Sequence, residues 1–181
     1  MKRLFYAAVL MMLSACSGIE VSQDFDTEMA FPRLETYAWK NQSVDKHDDV
    51  RADNPLLHKR FRQNIDRVLE EKGFARKIPA DFLADYSYSI TTRLESEPVT
   101  TGFGFGIGSY RRYGGFGIHT GPDIRQYDVG ILVIDIYDAE TEDMLWRGRG
   151  SEVVSRHPTP QQNSEMVRQL VEAVLAQFPP Y

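Results

Sequence analysis

A chain of 181 residues is long enough for one domain with a buried core. With 26 acidic against 21 basic side chains and a net charge of -5, it is too acidic to hold nucleic acid or an anionic lipid surface by general charge attraction. A single cysteine excludes an internal disulfide framework, so the fold must stand on packing.

Met1-Lys2-Arg3 is a short basic start, and Leu4 to Leu13 carries no charge. That run suits the apolar core of a signal peptide and is too short for a membrane-spanning helix, which needs about 20 residues. Ser14 and Ala15 are small, and Cys16 follows at once. Leu13-Ser14-Ala15-Cys16 resembles a bacterial lipobox, which implies diacylglyceryl transfer to the Cys16 thiol and cleavage before it. The first fifteen residues hold two of the basic and none of the acidic side chains, so the remainder stands at -7. Ser17 in place of an aspartate, by resemblance to the usual sorting signal, implies the outer membrane with the body facing the periplasm.

Residues 16–23 are read as a lipidated tether whose end becomes the first strand, since Ile19 and Val21 alternate with polar neighbours. Leu34 to Trp39 is read as a strand and Lys40 to Asp53 as an exposed charged loop. Asn54 suits a helix cap, Pro55 the first helical position and Gly73 the exit. Between them Leu57, Phe61, Ile65, Val68 and Leu69 form one apolar stripe. Arg62 with Asp66, and Arg67 with Glu71, have the spacing of ion pairs on the solvated side. Tyr86 to Leu94 alternates as a strand, Val129 to Tyr137 is a second, and a polar turn over 138–143 returns the chain through Met144 to Val154 as a hairpin. Thr159, Pro160 and Gln162 have capping-box spacing for a final helix, whose stripe includes Val167, Leu170, Val171, Val174 and Phe178.

Residues 102–121 alternate glycine with large apolar residues. Phe103, Phe105, Ile107, Tyr110, Tyr113 and Phe116 stand there beside Arg111 and Arg112. Aromatic rings supply contact area at modest entropic cost and arginines supply charge, so the stretch suits a contact surface for an envelope protein, a lipid or peptidoglycan. The competing reading is an insertion between strands with some rings folded back on the sheet. A dinucleotide fingerprint fails, because more glycine follows where a helix should open.

Reaction chemistry is not visible. His47, His58, His119 and His157 form no short-spaced ligand pair and read as surface residues. Asp45, Asp48, Asp49 and Asp53 lack the glycine and final glutamate of a calcium loop. No serine sits in a nucleophile elbow. The expectation is therefore no catalytic residue, no metal and no cofactor.

Tyr37-Ala38-Trp39 after an early strand, the Tyr86-Tyr88 strand, the hairpin ending Leu145-Trp146-Arg147-Gly148 and the closing amphipathic helix together resemble the DUF4136 family. That resemblance covers about residues 19 to 180 and implies a periplasm-facing α+β domain of unassigned activity. It supplies no catalytic residues, and the Phe/Gly stretch is not one of its hallmarks.

The expected organisation is a cleaved signal peptide over 1–15, the tether over 16–23 and one α+β domain over 24–181. A mostly antiparallel sheet would carry both helices on one face. Three functional classes follow: an anchored binding or assembly protein, a small-ligand or lipid carrier with a pocket lined by Ile90, Leu132, Ile134, Val171 or Phe178, and an envelope enzyme. The partners expected are the membrane, through covalent lipid, and an envelope protein, lipid or peptidoglycan, with no nucleic acid.

Overall fold

The computed structural model describes residues 18–28, 31–40, 49–96 and 124–180. Cys16 lies outside them, as does the proposed contact surface from Phe103 to Phe116. Among the described residues no helix is long and apolar enough to cross a membrane.

The first helix, α1 (Pro55–Glu71), begins where local chemistry dictates. The Asn54 side chain accepts from the Leu56 amide at 3.0 Å, Pro55 needs no intrahelical donor, and Gly73 takes φ 95° just past the end. The second, α2 (Pro160–Leu175), opens on a full capping box. Gln162 N–H donates to Thr159 Oγ1 at 3.2 Å, and Thr159 N–H donates back to Gln162 Oε1 at 2.8 Å.

Six strands form one sheet: β1 (Glu20–Asp24), β2 (Thr36–Trp39), β3 (Ala75–Arg76), β4 (Phe82–Ser96), β5 (Ile124–Asp138) and β6 (Met144–Val154). Their order is β1-β6-β5-β4-β2-β3. The β1–β6, β6–β5 and β5–β4 pairs are antiparallel, whereas β2 runs parallel to both β3 and β4. The parallel β2–β4 pair follows from α1, because a helix between two strands returns the chain to the end where it started. Asp81 fastens that crossover: its Oδ2 accepts from the amides of Glu35 and Thr36 at 2.9 and 2.8 Å. These donors hold the Asp81 carboxyl below its ordinary range.

The α+β expectation holds, with both helices packed together on one sheet face. The expected stripes meet there, since Phe61, Ile65 and Leu69 of α1, Leu132, Ile134 and Ile136 of β5, and Leu170, Val171 and Val174 of α2 are all fully buried. Phe178 joins them against Phe74, Phe82 and Trp146. A register shift between Ile136 and Tyr137 explains why Leu145 and Trp146, adjacent in sequence, are both buried.

Two glycines set how closely α2 lies on β6. A Cβ on Gly150 would come within 2.6 Å of Val174 and 2.9 Å of Leu170. One on Gly148 would come within 2.7 Å of Val174 and fall on the Trp146 ring. The indole therefore lies over Gly148, and its Nε1–H donates to Gln23 Oε1 on β1 at 3.0 Å.

Several local expectations are corrected. Arg67 does pair with Glu71 at 2.9 Å. Asp66, expected on the solvated side with Arg62, instead turns under β2, where its carboxylate accepts from Tyr37 Oη at 2.7 Å and Trp39 Nε1 at 3.0 Å. Arg62 stacks over Trp39 with its guanidinium carbon 4.4 Å from the ring centroid. His58 is buried rather than a surface residue, its Nδ1 lying 3.1 Å from Tyr86 Oη. The charged loop is not wholly exposed, because Ala52 is fully buried and Asp49 pairs with Arg51 at 2.7 Å.

Candidate functional site

The features that could act on another molecule gather at one end of the sheet. There β6 stops at Val154, β1 starts at Glu20, and both helices begin. A cleft of about 540 Å³ opens between the sheet and the first turns of the helices. Leu57, Ile90, Val154 and Met166 give it apolar walls, while Tyr88 and Glu152 supply polar groups.

Register explains why those two side chains meet. Ile90 pairs with Gly130, and Gly130 pairs with Glu152, so these three form one row across the sheet. Gly130 leaves the middle of the row bare. A Cβ there would come within 2.9 Å of Val154 and would fall on the Tyr88 hydroxyl. The tip of Tyr88 thus occupies the space that any other residue at position 130 would fill, beside Glu152.

Both groups are poorly accommodated by the fold. Tyr88 Oη and Glu152 Oε2 are each sealed from water with no hydrogen-bond partner, although Tyr88 as a residue is only 1% exposed. Burial pushes the Tyr88 hydroxyl pKa well up, helped by the Glu152 charge. Burial likewise raises the Glu152 carboxyl, and Glu165 adds to the shift. An unpartnered buried polar atom costs roughly 1–3 kcal/mol, so two side by side weaken the domain.

This arrangement predicts a pH-dependent gain from a neutral replacement. A raised carboxyl pKa favours the protonated form in the fold. The associated stability is fully present below the unfolded value of about 4.3 and is lost as pH rises through the folded value. Glu152→Gln is expected to raise the urea midpoint at about pH 7, with the gain vanishing below about pH 4. Urea titrations followed by circular dichroism at the two pH values check it. A lower midpoint at neutral pH would show that the carboxylate is favourably held.

An ion-pair network borders the cleft. Arg51 donates to Asp128 Oδ2 at 2.8 Å, Thr92 Oγ1 donates to Asp128 Oδ1 at 2.9 Å, and Arg156 approaches Asp128 at 3.9 Å. These partners, Arg51 foremost, hold the Asp128 carboxyl below its usual range. The network clamps the loop before α1 to the Thr92–Asp128 pair.

That pair is where the sheet narrows. β6 ends opposite Asp128, but β4 and β5 continue pairing to Ser96 and Ile124. They leave the body as a two-stranded ribbon. Arg93 and Leu94 are exposed along it, Leu94 by 71%. The ribbon's last pair brings together the two ends of the segment 97–123, which holds the aromatic and arginine residues expected to make contacts.

A second hollow, of about 490 Å³, lies at the opposite sheet edge beside Tyr37, Trp39, Arg62, Arg76 and Lys77. Its charge is offset by Asp66, which Arg76 approaches at 3.4 Å. Among the described residues no group of three or more His, Cys, Asp or Glu side chains is placed to hold a metal ion.

The carrier expectation placed its pocket elsewhere. Leu132, Ile134, Val171 and Phe178 are fully buried in the closed core, and of the five residues named only Ile90 lines the cleft. Sequence reading placed Tyr88 in an alternating strand without assigning it a role, and missed Glu152. The available signal was Gly130, an isolated glycine in a strand otherwise rich in Val and Ile, which marks a close approach.

Residues 21–180 match the family described as "Domain of unknown function (DUF4136)". The chain belongs to the DUF4136 family. No curated protein matches the sequence. Among solved structures, this DUF4136 chain is similar to a PDZ domain protein from Parabacteroides distasonis ATCC 8503, at 16% identity and a TM-score of 0.52. The match covers 90% of this chain and 36% of that one, so the present chain spans about a third of that protein's length and shares its fold over that part. It is also similar to the PelC dodecamer from Paraburkholderia phytofirmans, at 11% identity and a TM-score of 0.46, over 87% of this chain and 96% of that one. A leucine-to-methionine variant of the same dodecamer gives 12% identity and a TM-score of 0.44, over 87% and 95%.

Proposed function

We propose that this DUF4136 protein is an exported lipoprotein, held through Cys16 in the outer membrane, whose periplasmic body binds another envelope component in a binding or assembly role. The observation that carries the reading is the ribbon. Among the described residues no third strand pairs with β4 and β5 beyond Val154, and isolated two-stranded ribbons are marginal in water. The sequence nevertheless extends the pairing to Ser96 and Ile124 and places between them a stretch dense in aromatic and arginine residues. Such composition suits recognition, where rings fill area and guanidinium groups set orientation. The lipobox-like start keeps that stretch in the envelope.

Photo-crosslinking in cells from Tyr110 or Phe116, followed by mass spectrometry, tests it. The expected result is recurrent capture of one envelope component from both positions. Absence of any specific adduct across growth conditions would overturn the reading.

The unpartnered oxygens of Tyr88 and Glu152 favour a second reading, a small-ligand module using the cleft. A carboxylate and a phenol held without partners cost stability, and binding sites are where such costs are retained. A molecule that displaced the side chains sealing the two oxygens and supplied N–H or O–H donors would satisfy both.

A further inference from the structure

The ribbon, the cleft and the tether leave the domain at the same end, and strand register makes this quantitative. Glu20 pairs with Ser151, Ser151 with Ile131, and Ile131 with Ser89, so these four residues stand in one row. From Ile131 the β5 strand runs back to Ile124, which at 3.3 Å per residue carries the ribbon roughly 23 Å beyond that row. The tether runs the same way from Glu20 and is much shorter. Ile19 packs against the core, so only Gly18 and Ser17 separate the fixed body from Cys16. Fully extended, the chain places Cys16 within about 14 Å of Glu20.

The geometry points to the ribbon as a membrane-contacting element: its stretch just past the end of β6, Arg93 and Leu94 with Gln126 and the half-buried Tyr127, rests on or in the lipid headgroup layer. The inference rests on the anchored reading above. A cysteine bearing a diacylglyceryl group has its backbone at the bilayer surface. With the strands upright, the ribbon end would then pass that surface by about 9 Å, comparable with the depth of one headgroup layer. The ribbon's two strands stand about 10 and about 14 Å to the side of β1, two and three strand spacings away, so it is not displaced far enough to clear the bilayer edge-on.

Charge decides between this pose and its rival, in which the sheet lies down on its β1 edge. That edge presents exposed Glu20 and Asp24, which anionic lipid repels. Beyond the Thr92–Asp128 pair the ribbon's sequence holds Arg93 and Arg125 against a single acid, Glu95, a balance of +1 where the β1 edge stands at -2. Asp128 itself is 7% exposed and paired with Arg51. A cation, an apolar side chain and a phenol are suited to the interface between headgroups and acyl chains.

The test uses the full protein purified with its lipid from cell membranes. An azide-bearing amino acid is introduced at Leu94, at Ser22 on the β1 edge, or at Thr141 in the β5–β6 turn, and coupled to an environment-sensitive fluorophore. All three positions are exposed, so the core is untouched. The proteins are reconstituted into phosphatidylethanolamine–phosphatidylglycerol vesicles carrying nitroxide near the top of the acyl chain. Quenching at Leu94 is expected to exceed that at Thr141 by at least twofold and to exceed that at Ser22. In protein that carries acyl label and floats with the vesicles, equal quenching at Leu94 and Thr141 would overturn the ribbon contact alone. Stronger quenching at Ser22 than at Leu94 would also overturn it, in favour of the edge-down pose. A chain that carries no acyl label and does not float would remove the anchor, and the ribbon proposal with it.

Discussion

Replacing Trp146 with alanine is expected to cost about 3–5 kcal/mol, the range for emptying a large buried aromatic site. The indole is fully buried, lies 5.1 Å from the Phe178 ring at a tilt of 53° and reaches Gln23 on the neighbouring strand. Its loss opens a cavity between sheet and α2 and deprives β1 of a side-chain bond. For a domain of this size the melting temperature should fall by roughly 6–20 °C. Gly148 makes the prediction sharper. Gly148→Ala alone should cost about 1–3 kcal/mol, because the added methyl falls on the indole in a closed core. With the indole removed, the same methyl enters vacated space and meets chiefly Val174 at 2.7 Å. The two substitutions should therefore couple favourably by about 0.5–3 kcal/mol in a double-mutant cycle read by urea unfolding. Simple additivity would show that indole and methyl do not compete for one slot.

The second large effect is on location. Cys16→Ser should abolish acyl labelling and empty the outer-membrane fraction of the protein. One acyl chain binds a bilayer only marginally, at about 10⁴ M⁻¹, and stable anchoring needs two signals. Serine offers no thiol for the thioether, so two or three chains are lost together. Metabolic labelling with palmitate and membrane fractionation check it. Normal labelling of the variant would place the lipid elsewhere and dismantle the anchored reading.

Local chemistry made the helices and the hairpin legible. Asn54, Pro55 and Gly73 bound α1, and Thr159 with Gln162 bounds the start of α2, because caps act within a few residues. The polar turn over 138–143 marks the hairpin for the same reason. What escaped depends on contacts between distant elements. Nothing near Thr36 announces that β2 will lie between β3 and β4, since a helix intervenes before its partners appear. Asp66 has the spacing of a surface ion pair, and only the docking of β2 over α1 turns it toward Tyr37 and Trp39. The expected pocket failed for a related reason. Apolar stripes on a sheet and two helices look the same whether they enclose a void or close on one another, and here Leu132, Val171 and Phe178 close. Glu152 was silent because one acid in a strand end resembles any solvated residue until the register sets it beside Tyr88.

The place of β1 has a mechanical consequence. Where Cys16 holds the bilayer and a partner pulls on the body, the load enters the domain through an edge strand of five paired residues. Tension drawn along the strand axis would act in shear and load the β1–β6 hydrogen bonds together. A perpendicular exit would peel them one at a time. Ile19 packed on the core at the loaded end and Gln23 bonded to the Trp146 indole near the far end act as two pins against sliding. On the anchored reading, the strand next to the proposed lipid link is thus attached in the direction that best resists being drawn out.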